Sequence, residues 1–518
     1  MKSIILPFFT ILILTSVLIR RYLNQNNYYA IICKKNQDTF ALNTNRSRFG
    51  YFLQITDFHL DDHYREGATI KSGCHTLPKK HMYSKQDDEL CGTMGIPGQR
   101  MDAPSILIEH TLDWIRREWL DKLDFVIWTG DNSRHNWDEK HSRKKKKVYE
   151  LNKKAADMLT DVFFSAVPVV PVIGNNDVQP HNLIELYDDD LRFFGEIWKH
   201  WIPKDERKSF LEGGYFAVDV VPGIRVLSMN TMFFLKKNPM AKDCIAKKKK
   251  KENLGYQHLK WYKQQLEKAR HDNVKIYVVG HVPPSPNDFF EGCLHNYVSI
   301  TSDYSDIVLS HFYGHLNMDH FLIYDKRQEN NRNLLSSSMD NQPVTIQRDA
   351  KEYALWLKDM YHDLVHFENN HFSHQTTEQL VNQRPFHNSQ EPFNHNNPVV
   401  VIHVAPSVFP IYMPTIRIYR YEYQQENTAY GKLLGYTQYV ANISEYNNEN
   451  DHKKSKPPLE YNIQYDTNNL YGLPDLSINS YIQFADALTQ EDILESKELW
   501  NIYSKNIFVQ TMNDTLNQ

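Results

Sequence analysis

Between residues 50 and 325, short apolar runs alternate with longer segments whose apolar positions recur every three or four residues. The runs Gly50–Thr56, Leu123–Thr129, Val167–Ile173, Ile224–Met229 and Lys275–Val279 are rich in β-branched or aromatic residues and end in turn formers. That pattern predicts buried strands. Ser105–Leu120, Tyr149–Phe164, Asp189–Trp201 and Tyr256–Arg270 carry helical spacing, so strand and helix alternate as in an α/β protein. From 326 to 398 the chain is rich in Asn, Gln and His and poor in β-branched residues, which predicts an insertion with one helix near Ala350–Glu368. Two apolar runs in Pro398–Tyr423 suggest a hairpin closing the core, and Ser480–Asn506 reads as a helical extension. There is no internal repeat.

The N-terminus departs from this pattern. Ile4–Ile19 is almost wholly apolar, with Lys2 before it and Arg20-Arg21 after it. At about 16 residues it fits a short spanning helix better than a cleaved signal core, and no small-x-small cleavage site follows. The expected organisation is a cytosolic stub and signal-anchor helix over 1–21, a linker over 22–48, a core over 49–325, the insertion over 326–398, and a C-terminal part over 399–518. No second apolar stretch of that length follows, and sequons stand at Asn45, Asn442 and Asn513, so the bulk is expected in a lumen as a single-pass type II protein. The five cysteines suit that compartment if Cys74 pairs with Cys91 and Cys244 with Cys293, leaving Cys33 over; the alternative is five free thiols.

Composition adds little. The formal net charge of −4 argues against a general nucleic-acid binder. Lysine runs at 144–147 and 247–251 read as solvated loops or insert edges, with contact to a polyanion as the alternative.

Chemistry collects at the strand ends, where ligands converge in α/β sheets. The first ends in Thr56-Asp57-Phe58-His59, the second in Gly130-Asp131-Asn132-Ser133-Arg134-His135, the third in Gly174-Asn175-Asn176-Asp177. Gly280-His281 and Tyr313-Gly314-His315-Leu316-Asn317 follow later. Any one of these is an ordinary turn. Five polar clusters of Asp, His and Asn at successive strand ends point instead to a metal centre. In extended backbone, Asp57 and His59 would point to the same side and share one cation, while the Asp131 carboxylate has two oxygens with which to bridge a pair. Oxygen and imidazole ligands without thiolate suit Mn, Mg, Co, Zn or Fe. Two such ions ~3.5 to 4 Å apart would supply a hydroxide and polarise a phosphoryl oxygen.

The order Asp-x-His, Gly-Asp, Gly-Asn, Gly-His, Gly-His resembles the calcineurin-like metallophosphoesterase family. Within it, QITDFHLD, TGDNSRH, IGNND, GHVPP, FYGHLNMDHF and PSVFPIYMPTIRIYRY look like the fungal endopolyphosphatase subgroup, related to acid sphingomyelinase. The resemblance implies a four-layer α/β/β/α sandwich with two mixed β-sheets. It implies one ion on Asp57, His59 and bridging Asp131, and a second on Asp131, Asn175, His281 and His315. The implied activity is hydrolysis of internal phosphoanhydride bonds of inorganic polyphosphate at the vacuole membrane, with the catalytic domain in the lumen; a homo-oligomer is left open.

Two departures from the family pattern matter. Asn176 stands where most members have a histidine that steadies the transition state or protonates the leaving group, and Asn317 stands where most have a metal-binding histidine. A phosphate leaving group, with a second pKa near ~6, departs without full protonation, whereas an alkoxide does not. Anhydride cleavage is therefore favoured over an acid sphingomyelinase-like phosphodiesterase, and a silent scaffold is disfavoured by the otherwise complete ligand set. Asn317 would bind through its amide oxygen and tilt the site toward Mn, Mg or Co. His135 is the candidate proton or hydrogen-bond donor, or else an orienting residue. Asp177 is expected to fix its turn, with orientation of His315 or His281 as the alternative, His320 to be a plain strand residue, and Arg134, near the site in sequence, is a candidate for holding polyphosphate.

Overall fold

The computed structural model describes residues 49–78, 90–136, 141–164, 166–245, 253–328, 350–372, 397–448, 457–490 and 492–511. In chain order its strands are β1 (Phe49–Ile55), β2 (Leu60–Asp61), β3 (Ala103–Pro104), β4 (Phe125–Trp128), β5 (Val169–Pro171), β6 (Phe216–Val221) and β7 (Ile224–Ser228). There follow β8 (Lys275–Val279), β9 (Val308–Tyr313), β10 (His320–Asp325), β11 (Val399–Val404), β12 (Thr415–Glu422), β13 (Leu433–Val440) and β14 (Asn462–Asp466). They form two six-stranded mixed sheets, ordered β14-β13-β12-β1-β4-β5 and β10-β11-β9-β8-β7-β6, and a small β2-β3 pair.

Phe52 shows why these sheets stack. On β1, whose partners β4 and β12 set Phe125 and Tyr419 beside it, its ring stacks on both at 4.6 and 4.8 Å. Across the interface it meets Phe312 of β9 at 5.4 Å and Tyr277 of β8 at 5.6 Å. Strands covered on both faces read as continuous apolar runs, which is what made β1, β4, β7 and β8 legible.

The main helices are α1 (Ser105–Glu118), α2 (Lys145–Phe163), α3 (Asp189–Ile197), α4 (Arg207–Gly213), α5 (Leu254–His271), α6 (Glu291–Asp303) and α7 (Ala350–Phe372). After them come α8 (Ile443–Asn448), α9 (Thr467–Tyr471), α10 (Ile478–Thr489) and α11 (Leu494–Ile507). Helices α1 and α2 cover the first sheet, with Trp114 5.2 Å from Tyr439 and 5.4 Å from Tyr461. On the second sheet, α5 and α6 cover one part and α7 and α10 another, Phe321 of β10 stacking on Tyr361 at 4.3 Å. The result is the expected order of α, β, β and α layers.

Several expectations fail. The apolar runs of Pro398–Tyr423 are not a hairpin: β11 lies between β10 and β9, and β12 lies between β1 and β13 in the other sheet. Pro406, Pro410 and Pro414 break the connection, and two fully buried runs carry no mark of which sheet each joins. Strands β6 and β14 escaped notice as partly polar edge strands; of β9 only the end at Tyr313 was read, since it buries His311, whose Nδ1 lies 2.6 Å from the Tyr297 hydroxyl. The lysine run at 144–147 is no loop. It opens α2, and Lys145 and Lys147 are tied to Asp190 and Asp62. The helical C-terminal extension is present as two helices, separated between Thr489 and Leu494.

Disulfides join Cys74 to Cys91 and Cys244 to Cys293. Asn442 is exposed and its Oδ1 accepts the Glu445 amide at 3.1 Å, capping α8. The anchor over 1–21, the linker over 22–48, Cys33, Asn45, Asn513, the lysines at 247–251 and most of the 326–398 insertion lie outside the described residues. No helix among the described residues is long and apolar enough to cross a membrane.

Candidate metal centre

The carboxyl ends of β1, β4, β5, β8 and β9 deliver the expected residues to one place. The loops after β1 and β4 are laced together, the Asp57 amide donating to the Gly130 carbonyl at 2.9 Å and the His59 amide to the Asp131 carbonyl at 3.0 Å. The backbone is not extended here, as the Asp-x-His spacing suggested: Asp57 and His59 have φ of 52° and 44°. Asp131, His315 and Asn317 share this left-handed conformation at 57°, 69° and 57°. Non-glycine residues adopt it at a cost, and such strain persists where the surroundings over-determine it. The curl still brings the side chains together, with His59 Nε2 3.4 Å from Asp57 Oδ1. Close approach also explains two glycines. A Cβ at Gly174 would strike the Asp131 amide and carboxylate, and one at Gly314 would strike Thr56 and Asp57.

Asp131 is the centre of the cluster. Its Oδ2 lies 3.6 Å from His59 Nε2 and 3.2 Å from His281 Nε2. Asp57, His59 and Asp131 can converge on one ion, and Asp131, His281 and His315 on another. Asn175 Oδ1 is 2.9 Å from His281 Nε2, on the second group. The carbonyls of Thr129 and Ser133 lie 2.7 and 3.3 Å from Nδ1 of His281 and His59, and so orient the two rings. Asp57 Oδ1 and Asn317 Oδ1 are buried and have no hydrogen-bond partner among the described residues. Buried oxygens are seldom left so, and a cation would satisfy both. The residues therefore fit a pair of divalent ions held by oxygen and imidazole.

Around this set the structure assigns jobs that spacing did not reveal. Asn176 does not face outward: its amide and side-chain nitrogens donate to Asp131 Oδ1 and Oδ2 at 2.7 and 2.8 Å. Buried Arg143 holds it, donating to its side-chain oxygen at 3.3 Å and to its carbonyl. Asp177 turns away from the imidazoles and accepts the amides of Gly174, Asp131 and Asn132. His135 stacks on His59 at 4.0 Å, and its Nδ1 meets Asp102 Oδ1 at 2.6 Å. Asp102, His59 and His135 form a third group able to hold a cation. Arg134 is buried and donates to the carbonyls of His135 and His141, so it is not offered to a substrate. His320 lies apart on β10, with Nε2 2.9 Å from the Tyr353 hydroxyl. Asp102, Arg143, His181 beside Asn175, and Phe409, which packs on His59 at 4.8 Å, were all missed; only Phe409 stood within a segment already singled out, PSVFP.

Residues 50–317 match the model of the calcineurin-like phosphoesterase family. The chain belongs to that family. It is similar to proteins named endopolyphosphatase, at 30% identity in Cryptococcus neoformans, over 76% of this chain and 61% of the relative. The relative in Saccharomyces cerevisiae is 36% identical over 59% of this chain and 46% of its own length, and that in Schizosaccharomyces pombe 30% over 72% and 61%. The chain thus spans about half the length of the curated relatives it matches. A dimetal phosphatase from Danio rerio is similar at a TM-score of 0.31 and 12% identity, over 53% of this chain and 84% of that one, too weakly to carry weight.

Electrostatics in this phosphoesterase centre on Asp131. Burial opposes its charge, but His281, His59 and His315 hold its carboxyl well below the usual range. His281 is pushed up to about 9, because Asp131 outweighs the cost of burial. His59 is raised likewise by Asp57 and Asp131 against burial. Burial and the neighbouring His281 hold His315 well below the ordinary histidine value. Burial and the Asp131 charge push Asp177 up to about 6. His281, which keeps its proton beside the ionised Asp131 carboxylate, is suited to exchanging that proton for metal.

Proposed function

We propose that this phosphoesterase is a metal-dependent endopolyphosphatase that hydrolyses internal phosphoanhydride bonds of inorganic polyphosphate. The observation that carries the hydrolase reading is the convergence of Asp57, His59, Asn175, His281 and His315 on the Asp131 carboxylate. The substrate rests on the names of its relatives and on the state of Asn176. When bound, two divalent ions would activate water and neutralise charge on the phosphoryl group. Asp57, His59 and Asn317 would hold one, Asn175, His281 and His315 the other, with Asp131 between. The amide oxygen of Asn317 favours Mn, Mg or Co.

The side chains then divide the remaining work. Asn176 donates both of its nitrogens to Asp131, fixing the carboxylate that would serve both ions and leaving no acid at that position. His135, held through Nδ1 by Asp102, is the candidate donor to the leaving phosphate in its protonated form, which burial and the neighbouring His59 disfavour. A phosphate demands little from that donor. The same His–Asp pair favours a second reading, an acid sphingomyelinase-like phosphodiesterase, because an alkoxide does need protonation. A catalytically silent scaffold would have no use for a complete ligand set.

Placement of the catalytic domain in the vacuolar lumen, behind a signal anchor, belongs to the same proposal. It is supported by the two disulfides and by the exposed sequon at Asn442. The metal-loaded protein would be assayed on long-chain polyphosphate, sphingomyelin and a chromogenic phosphodiester, with products sized on a gel. Intermediate-length polyphosphate is expected. Release of free phosphate alone, or turnover of sphingomyelin only, would reject the endopolyphosphatase reading.

A further inference from the structure

The loop of Gly314 to Asp319 carries His315 and Asn317, both at positive φ, and is pinned at each end. At its start the Gly314 amide donates to the His281 carbonyl at 3.1 Å, and the His315 amide to Asp57 Oδ2 at 3.1 Å. At its end the Asp319 amide donates to the carbonyl of Ile507, the last residue of α11, at 2.9 Å. The Asp319 carboxylate goes into the protein, where Arg417 of β12 meets Oδ1 at 2.5 Å. Tyr465 of β14 donates its hydroxyl to Oδ2, and Tyr436 of β13 reaches Oδ1 at 3.4 Å. Arg417 lies 4.0 Å over the Tyr436 ring, and its Nε donates to Gln438 at 3.0 Å. The two ionic residues are 1% and 3% exposed, so the pair is wholly buried.

A buried ion pair is weak evidence for stability, since well-packed apolar residues often serve as well or better. Holding a strained loop in one conformation is a different task, and it needs directional contacts. Here the contacts come from three adjacent strands of the first sheet and reach the residue two places beyond Asn317. We infer that Arg417, Asp319 and Tyr465 are positioning residues for the metal centre, through which the C-terminal strands set His315 and Asn317 in place. Their effect passes along the loop backbone.

The inference rests on the metal reading and is independent of the substrate. Mn²⁺ would be titrated into the metal-stripped full-length protein, with free ion read by electron paramagnetic resonance and folding by near-ultraviolet circular dichroism. Tyr465→Phe removes a single hydroxyl, and Arg417→Lys keeps the charge without the planar fork. Tyr503→Phe is the control: Tyr503 packs in the same region and its hydroxyl pairs with Tyr361 at 2.9 Å. Tyr465→Phe and Arg417→Lys are expected to stay folded and to bind Mn²⁺ about 5-fold or more weakly, about 1 kcal/mol. Tyr503→Phe should lower the melting temperature and leave Mn²⁺ binding unchanged. Native Mn²⁺ affinity in folded Tyr465→Phe overturns the inference, whatever Arg417→Lys does, and so would equal weakening by Tyr503→Phe. Failure of the unaltered protein to bind Mn²⁺ would instead remove the metal reading.

Discussion

Asp177 supports Asp131 from beneath, accepting the Asp131 amide on Oδ2 at 3.0 Å and the Asn132 amide on Oδ1 at 2.7 Å. The Gly174 amide, the Asn132 side chain and the Ser133 amide add donors at 2.9, 3.1 and 3.3 Å. Removing the carboxylate leaves several buried donors without an acceptor, at ~1 to 3 kcal/mol each. Asp177→Ala is therefore expected to lose on the order of 3 kcal/mol or more of stability, and Asp177→Asn about half as much. Urea denaturation would check this; a loss under 1 kcal/mol in Asp177→Ala would refute the supporting role.

The pH dependence of the metal-free protein follows from two raised groups. Asp177, pushed up to about 6 by burial and by Asp131, contributes stability that is present at about pH 3.8 and lost as pH rises through 6. His281 is opposed by burial but raised to about 9 by Asp131, so its contribution is present below about pH 6.5 and lost as pH climbs through 9. The metal-free protein should become less stable from pH 6.5 to 9. Metal displaces the His281 proton, so the loaded protein should not follow, and binding at pH 7 should release about one proton or more. Melting curves with and without metal, and calorimetry in buffers of differing ionisation enthalpy, measure both effects. No proton release would exclude His281 as a ligand.

His135 and Asp102 are expected to act as one unit. Asp102 accepts both the His135 amide at 3.0 Å and its Nδ1 contact at 2.6 Å. His135→Ala and Asp102→Ala should each lower kcat on polyphosphate by ~10- to 100-fold, at or below the ~100- to 10,000-fold usual for a proton donor because a phosphate leaving group needs little protonation. The double variant should cost no more than the worse single one. Strictly multiplicative losses would show that the two residues work apart.

The Cys74–Cys91 bridge closes a segment with a sequence separation of 17, next to His75, whose Nε2 is 2.6 Å from Asp61 Oδ2. A loop of that size stabilises by about 3 kcal/mol through restriction of the unfolded chain. The variant with both Cys74→Ser and Cys91→Ser should lose that much. A change under 1 kcal/mol would mean that the bridge does not constrain this loop.

Much of the site was legible because its chemistry is local. Asp57, His59, Asp131, Asn175, His281 and His315 each follow a buried run directly, and in an α/β sheet that address is enough to predict convergence. The backbone shape at Asp57 and His59 was misjudged, because curling depends on hydrogen bonds to Gly130 and Asp131 that no neighbouring residue announces. Contacts across the chain were illegible for the same reason. Asp102 lies 33 residues before His135, Arg143 33 before Asn176, and Asp319 98 before Arg417.

What the sequence alone determined, then, is the alternating α/β character and the metal chemistry, which depend on residue type and on a period of two or of about 3.6 residues, while the layering and the histidines absent at 176 and 317 were read from the family resemblance. Only the tertiary structure decided that β11 and β12 enter different sheets, that Asn176 is spent on Asp131, and that C-terminal strands grip the loop of His315 and Asn317. Periodicity reports that a strand is buried but not beside which strand, and a polar side chain finds its partner only once packing has brought distant segments within hydrogen-bond reach.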